Sequence, residues 1–163
     1  MLAIISDIHD NLANLEKFLK YAKENKISEI FCLGDLTGDT AVKELADGFD
    51  GKIYLVCGNA DFFDEDYVKN FPKIKYFGRV GNAEAGGKKI AFTHLPGDGK
   101  KLSESKKYDY VFYGHTHKPW QEEFNGIILL NPGTIAGTFS KPSFAVWDEK
   151  EDKFSLILLD LLR

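Results

Sequence analysis

The chain contains only four histidines, and each falls where a short apolar run gives way to polar residues. His9 closes Ser6-Asp7-Ile8-His9, His94 follows a run ending in Thr93, and His115 and His117 stand in Gly114-His115-Thr116-His117. Asp35 in Leu33-Gly34-Asp35 and Asn59 in Cys57-Gly58-Asn59-Ala60-Asp61 occupy equivalent places. Imidazole nitrogen and carboxylate or amide oxygen are the donors that hold divalent transition metals. Asp-x-His and His-x-His would set two such donors on one side of an extended chain, because side chains alternate with period two. Singly, each motif has a plain reading as a turn, a helix cap or a non-ligating histidine pair. As a set they are specific, since no histidine is left over as an ordinary surface or core residue.

Apolar periodicity shows what must carry these residues. Residues 2–6 form a buried-strand run, then a helical pattern starts near Asn11, with Leu12, Leu15, Leu19 and Ala22 on one face and Asn11 as cap. Residues 29–33 predict a second strand, 40–46 a short helix and 53–57 a third strand, a βαβαβ order with parallel strands. Further strands are expected over 74–80, 89–93, 110–113, 127–131, 144–148 and 154–160, with hairpin turns at Asn125-Gly126 and 149–152. The chain is therefore expected to be α/β, its early strands in one sheet and its later strands in a second, more antiparallel sheet packed face to face. Ligands of parallel sheets bind beyond the carboxyl ends of the strands, which is where the polar residues collect.

Composition narrows the class. With 44% hydrophobic and 28% charged residues, the chain can bury a core and does not read as disordered. No apolar run approaches the ~20 residues of a membrane-spanning helix, and no basic segment precedes the first apolar residues as in a signal peptide. A cytoplasmic protein without a membrane partner is expected. No linker or repeat divides residues 1–163, which read as one domain. The net charge is −4, and basic residues come only in pairs such as Lys88-Lys89, Lys100-Lys101 and Lys106-Lys107, which argues against a long nucleic acid. An anionic substrate would need local positive charge, and bound metal can supply it. Cys32 and Cys57 lie in apolar runs without a CxxC spacing and read as reduced core residues.

Asp7-Ile8-His9, Gly34-Asp35, Gly58-Asn59-Ala60-Asp61, His94, Gly114-His115-Thr116-His117 and Asn131-Pro132-Gly133-Thr134 resemble, in order, the motifs of the calcineurin-like metallophosphoesterases, in particular the small single-domain prokaryotic phosphodiesterases. The resemblance implies a four-layer αββα sandwich of two mixed sheets and two divalent transition-metal ions. Asp7, His9 and His117 would bind the first ion, Asn59, His94 and His115 the second, and Asp35 would bridge both. Mn is the first expectation, with Ni, Co, Fe or Zn compatible with the same donors and Mg less so. The seven residues would act through the metals, which share a hydroxide that attacks phosphorus in line and neutralise the phosphate oxygens, with no phosphoenzyme. The implied partner is a small phosphate ester, a phosphodiester first, with a phosphomonoester or nucleotide pyrophosphate as the alternative. Small members of the family are often dimers or larger, so a homo-oligomer is compatible with the resemblance.

Two positions depart from the wider family. Where many members carry a histidine thought to protonate the leaving group, this chain has Ala60, as the small phosphodiesterases often do. General acid catalysis contributes ~10²–10⁴-fold, so esters with acidic leaving groups are expected to be favoured. Leu95-Pro96-Gly97 replaces a frequent Gly-His after His94 and cannot coordinate metal. The loop 96–101 is expected to shape the pocket, with Lys100 or Lys101 either meeting phosphate or facing solvent. Phe62-Phe63 and Trp120 could flank the site or pack elsewhere, and Asp10 and Asp61 could orient ligands or serve as turn residues. A subunit of the retromer coat has this same fold and serves mainly as an interaction platform, so a binding scaffold is the rival from another class. Every ligand position here holds a competent donor, which favours the enzyme.

Overall fold

Leu-Ala-Ile-Ile at residues 2–5 is apolar on both sides, which suits a strand with no solvent-facing side. In the computed structural model, which describes residues 1–162, it forms β1 (Leu2–Ile5). Ala3 and Ile5 face helices, while Leu2 and Ile4 face a second sheet. The chain continues through α1 (Leu12–Glu24), β2 (Glu29–Cys32), α2 (Asp39–Gly48), β3 (Lys52–Leu55), α3 (Glu65–Val68), β4 (Ile74–Tyr76), β5 (Val80–Ala85) and β6 (Lys88–Thr93). Then come α4 (Pro96–Glu104), β7 (Tyr110–Phe112), β8 (Trp120–Phe124), β9 (Ile127–Asn131), β10 (Ser143–Asp148), β11 (Lys153–Leu158) and a 3₁₀ turn, Leu159–Leu161.

The first sheet has the order β11-β10-β1-β2-β3-β4 and the second β5-β6-β7-β9-β8. Strands β1 to β4 are parallel, as are β6, β7 and β9. Helices α1, α2 and α3 cover the outer face of the first sheet through Leu15, Phe18, Val42, Leu45 and Val68. On the outer face of the second sheet, Leu102 of α4 packs on Ala91, Val111 and Leu129. Between the sheets Phe31 stacks on Tyr54 at 4.7 Å and meets Phe92 and Phe112 edge-on at 5.2 and 5.5 Å. Four layers result, α/β with two mixed sheets. No helix among the described residues is long and apolar enough to cross a membrane.

Several expectations change in detail. The C-terminal strands β10 and β11 return to the first sheet, antiparallel beside β1, and the second sheet has two parallel and two antiparallel pairings. The run 74–80 divides between the sheets, giving β4 and the start of β5. In α1 the buried face is Leu15, Phe18 and Ala22, with Leu12 exposed and Leu19 half-buried, because both line an open groove with Glu44 and Gly48 of α2. Asn125-Gly126 makes the expected hairpin between β8 and β9, both residues at positive φ (54° and 79°), as a two-residue primed turn demands. Strands β8 and β11 are edges of the two sheets, and Trp120, Leu130, Phe154 and Leu156 line a small cleft of about 180 Å³ between them.

Candidate metal centre

The parallel strands of both sheets end at one pole, and the chain turns sharply as it leaves each. Five of the seven predicted ligands sit in left-handed backbone at those turns: Asp7 (φ 56°), His9 (45°), Asp35 (54°), His115 (70°) and His117 (58°). Such a conformation costs a non-glycine residue on the order of 1 kcal/mol or more and persists only where surroundings enforce it. The enforcing contacts are explicit. Asp7 N donates to Gly34 O at 3.1 Å, and Ile8 N and His9 N donate to Asp35 O at 2.8 and 2.9 Å. The Asp61 carboxylate accepts N–H bonds from Asp35, Thr37 and Gly58 at 3.0, 2.8 and 2.7 Å, joining the turns after β2 and β3. Asp7 and His9 therefore converge through a turn beyond the end of β1 and not through strand alternation, which corrects the geometric part of the sequence argument. Gly58 is required where it stands: a Cβ there would lie 2.1 Å from Asp35 Oδ1.

The structure brings these side chains together. His9 Nε2 and His117 Nε2 are 3.2 Å apart, and His117 Nε2 is 3.0 Å from Asp7 Oδ1. Asp35 Oδ2 lies 3.7 Å from His9 Nε2 and 3.3 Å from His94 Nε2, between the two halves of the cluster. His94 Nε2 is 2.9 Å from Asn59 Oδ1. Among the described residues two groups have metal-binding spacing, Asp7 with His9 and His117, and Asp7 with Asp35 and His94. Asp7 thus belongs to both. His115 lies outside these two groups. Its exposed ring stands edge-on to His94 at 5.2 Å, and its backbone N–H donates to Asp7 Oδ2 at 3.1 Å.

The donor set fits a cation. His94 Nδ1 and His117 Nδ1 are each 2.9 Å from a backbone carbonyl, of Leu33 and Thr138. A carbonyl only accepts, so both Nδ1 atoms carry hydrogen, and in the neutral rings the Nε2 lone pairs face the cluster. There they meet other acceptors. Asp7 Oδ1 is fully buried and accepts no hydrogen bond, although His117 Nε2 is beside it. An orphaned buried carboxylate oxygen is costly, and a positive ion at this point relieves it. The charge balance of the cluster alone points the same way. The Asp7 carboxylate beside His9 raises the basicity of that ring, against its partial burial. Burial opposes protonation of His94, but Asp35 outweighs it and raises the ring above its usual value. Burial alone would raise Asp35. The His94 ring and the N–H of Ala60, which donates to it at 2.7 Å, hold it below its usual range.

An open cavity of about 540 Å³ contains His9, Asp35, Asn59, His115, Thr116 and His117. Two residues that sequence reasoning missed complete its wall, Thr138 and Phe139. No motif marks them. The sequence marks the Asn131 turn only as a motif; in the structure it buttresses the site. Asn131 Nδ2 donates to Gly114 O and Thr116 Oγ1 at 2.9 and 3.0 Å, and Thr134 Oγ1 donates to Asp7 O at 2.9 Å. Lys100 and Lys101 lie exposed on α4, a helix where a loop was expected. Phe63 is buried edge-on to Tyr76, Phe62 is exposed beside Gly38, and Trp120 lines the separate cleft between β8 and β11. Asp10 accepts the N–H of Gly38 at 3.4 Å.

Residues 1–152 match the family described as calcineurin-like phosphoesterase superfamily domain. A phosphodiesterase of Methanocaldococcus jannaschii is 25% identical over 167 residues, spanning 98% of this chain and 99% of its own. A vacuolar protein sorting-associated protein 29 of Schizosaccharomyces pombe is 28% identical over 172 residues, spanning 99% and 84%. The solved structure of an archaeal phosphodiesterase superposes with a TM-score of 0.87 at 24% identity, covering 96% of this chain and 98% of that one; this last likeness is one of fold.

Proposed function

This chain belongs to the calcineurin-like phosphoesterase superfamily, and from that membership we propose that it hydrolyses small phosphodiesters with two divalent cations. Asp7, His9 and His117 would hold one cation, Asn59, His94 and His115 the other, with Asp35 between them. The observation that carries this reading is Asp7 Oδ1, buried and without a hydrogen bond, where the opposed Nε2 atoms of His9 and His117 converge. When bound, the cations supply Lewis acidity at the phosphate oxygens and lower the pKa of water at the site. The chain's own residues supply orientation. Leu33 and Thr138 carbonyls fix the His94 and His117 rings, and Asp61 holds the Asp35 and Gly58 turns in register. Ala60 leaves the position beside Asn59 without a proton to give.

The test is hydrolysis of bis-p-nitrophenyl phosphate by metal-depleted protein, with Mn, Ni, Co, Zn and Mg restored singly and an Asp35→Asn variant alongside. Turnover that returns with a transition metal and falls at least a hundredfold in the variant is expected. The likeness to a vacuolar protein sorting-associated protein 29 supports a second reading, a non-catalytic interaction platform. Folded protein that binds two ions and hydrolyses neither mono- nor diesters would favour it.

A further inference from the structure

Phe139 is 92% exposed, more than any other large apolar side chain among the described residues. Its backbone is left-handed, with φ 64°, a region where an aromatic residue is a genuine outlier and glycine the default. An exposed ring on strained backbone adds nothing to stability, so strain of this kind points to a task at the site. The surroundings say which. The carbonyl of Thr138, one residue earlier, accepts the Nδ1–H of His117 at 2.9 Å, and the Phe139 and His117 rings are 5.6 Å apart and tilted by 52°. One stretch of backbone thus aims a candidate ligand inward and stands a bare aromatic face on the wall of the same cavity. Ala60, next to the candidate ligand Asn59, adds a second consideration: its methyl group offers no proton, which favours a weakly basic leaving oxygen.

We infer that Phe139 selects the leaving group, and that the substrates this site takes are aryl phosphodiesters whose ring lies against Phe139. An aryl oxide answers both observations, being acidic and flat. In the reaction a water oxygen bonds to phosphorus and gives up one proton to solvent, the P–O(aryl) bond breaks, and the aryl oxide departs with the electron pair and takes a proton from solvent. This inference rests on the phosphodiesterase reading but can be separated from it.

The experiment compares wild type, Phe139→Ala and Phe139→Tyr, each loaded with metal. Calorimetry measures the affinity of phenylphosphonate and methylphosphonate, and kinetics measure kcat and KM for bis-p-nitrophenyl phosphate. Loss of one aromatic contact should weaken phenylphosphonate about two- to tenfold in Phe139→Ala, leave methylphosphonate and metal affinity unchanged, and raise KM more than it lowers kcat. Phe139→Tyr should restore binding. Equal loss for both phosphonates, no loss for either, or a changed oligomeric state as the only effect would overturn the inference. If wild type prefers phenylphosphonate through Phe139 yet hydrolyses no ester, the inference stands and the hydrolytic reading fails. Hydrolysis without any dependence on Phe139 is the reverse result.

Discussion

At the residue scale, hydrogen bonds to ring nitrogens divide the histidines. His94 and His117 each give their Nδ1–H to a main-chain carbonyl, so their rings are oriented before any ion arrives. Gly58 shows how little room the oriented cluster has. In Gly58→Ala the new methyl would press on both the carboxylate and the N–H of Asp35, at 2.1 and 2.4 Å, and the carboxylate must move. Metal affinity measured by calorimetry should fall at least tenfold while far-UV circular dichroism stays native-like. Gly97→Ala, whose Cβ meets nothing within 4 Å, should bind metal as wild type does, and equal affinity in both variants would refute the argument. The identity of the clustered residues was legible in the sequence because histidine is rare here and every copy ends a strand. The turns were legible only as one alternative, since Asp and His tolerate left-handed backbone without demanding it as glycine does. Phe139 was not legible, in a Gly-Thr-Phe-Ser stretch that resembles any loop.

At the scale of elements, the end of β9 supports the loop that bears two histidines. Asn131 is buried and uses both ends of its amide, donating to Gly114 O and Thr116 Oγ1 and accepting the Gly133 N–H at 2.9 Å. Asn131→Ala leaves those groups unpaired inside the protein and should cost about 1–3 kcal/mol, read as a lower urea midpoint at unchanged m-value. A midpoint equal to wild type would show that the turn is held by other means. The elements that sequence patterning missed share one cause, weak apolar signal. Strand β8, Trp-Gln-Glu-Glu-Phe, is exposed throughout, so no alternation marks it. Helix α4 opens Pro-Gly-Asp-Gly, which reads as a loop. Yet Pro is pre-organised for the first turn of a helix, and a Cβ at Gly99 would come within 3.3 Å of Tyr113.

At the scale of the molecule, the two sheets are tied by more than apolar contact. Asp152, in the turn between β10 and β11, accepts hydrogen bonds from Trp147 Nε1 at 3.1 Å and from the Tyr110 hydroxyl, and pairs with Lys88 Nζ at 2.9 Å. Trp147 belongs to the first sheet, Tyr110 and Lys88 to the second. The Tyr110 hydroxyl, then Lys88, hold the Asp152 carboxyl below its ordinary value. The sign follows: the unfolded chain takes up the proton first, so this stabilisation is present above the ordinary carboxylate pKa and fades as pH drops through the folded one. With its side chain 44% exposed, Asp152→Ala should cost about 1 kcal/mol near neutral pH. The difference from wild type, measured by urea denaturation, should shrink in acid, and a difference independent of pH would exclude the ionised clamp. Which sheet each late strand joins was not legible, because β10 and β11 return to β1 across the whole chain and no local pattern encodes that distance.

The open flank formed by edge strand β8 has a further consequence, for colloidal behaviour. A second molecule adding to that edge antiparallel about Glu122 would set Glu122 against itself and Gln121 against Glu123, so like charges at neutral pH discourage one chain from templating the next. With Trp120 and Phe124 exposed at either end of the strand, Glu122 is the residue that holds this edge against strand-to-strand association.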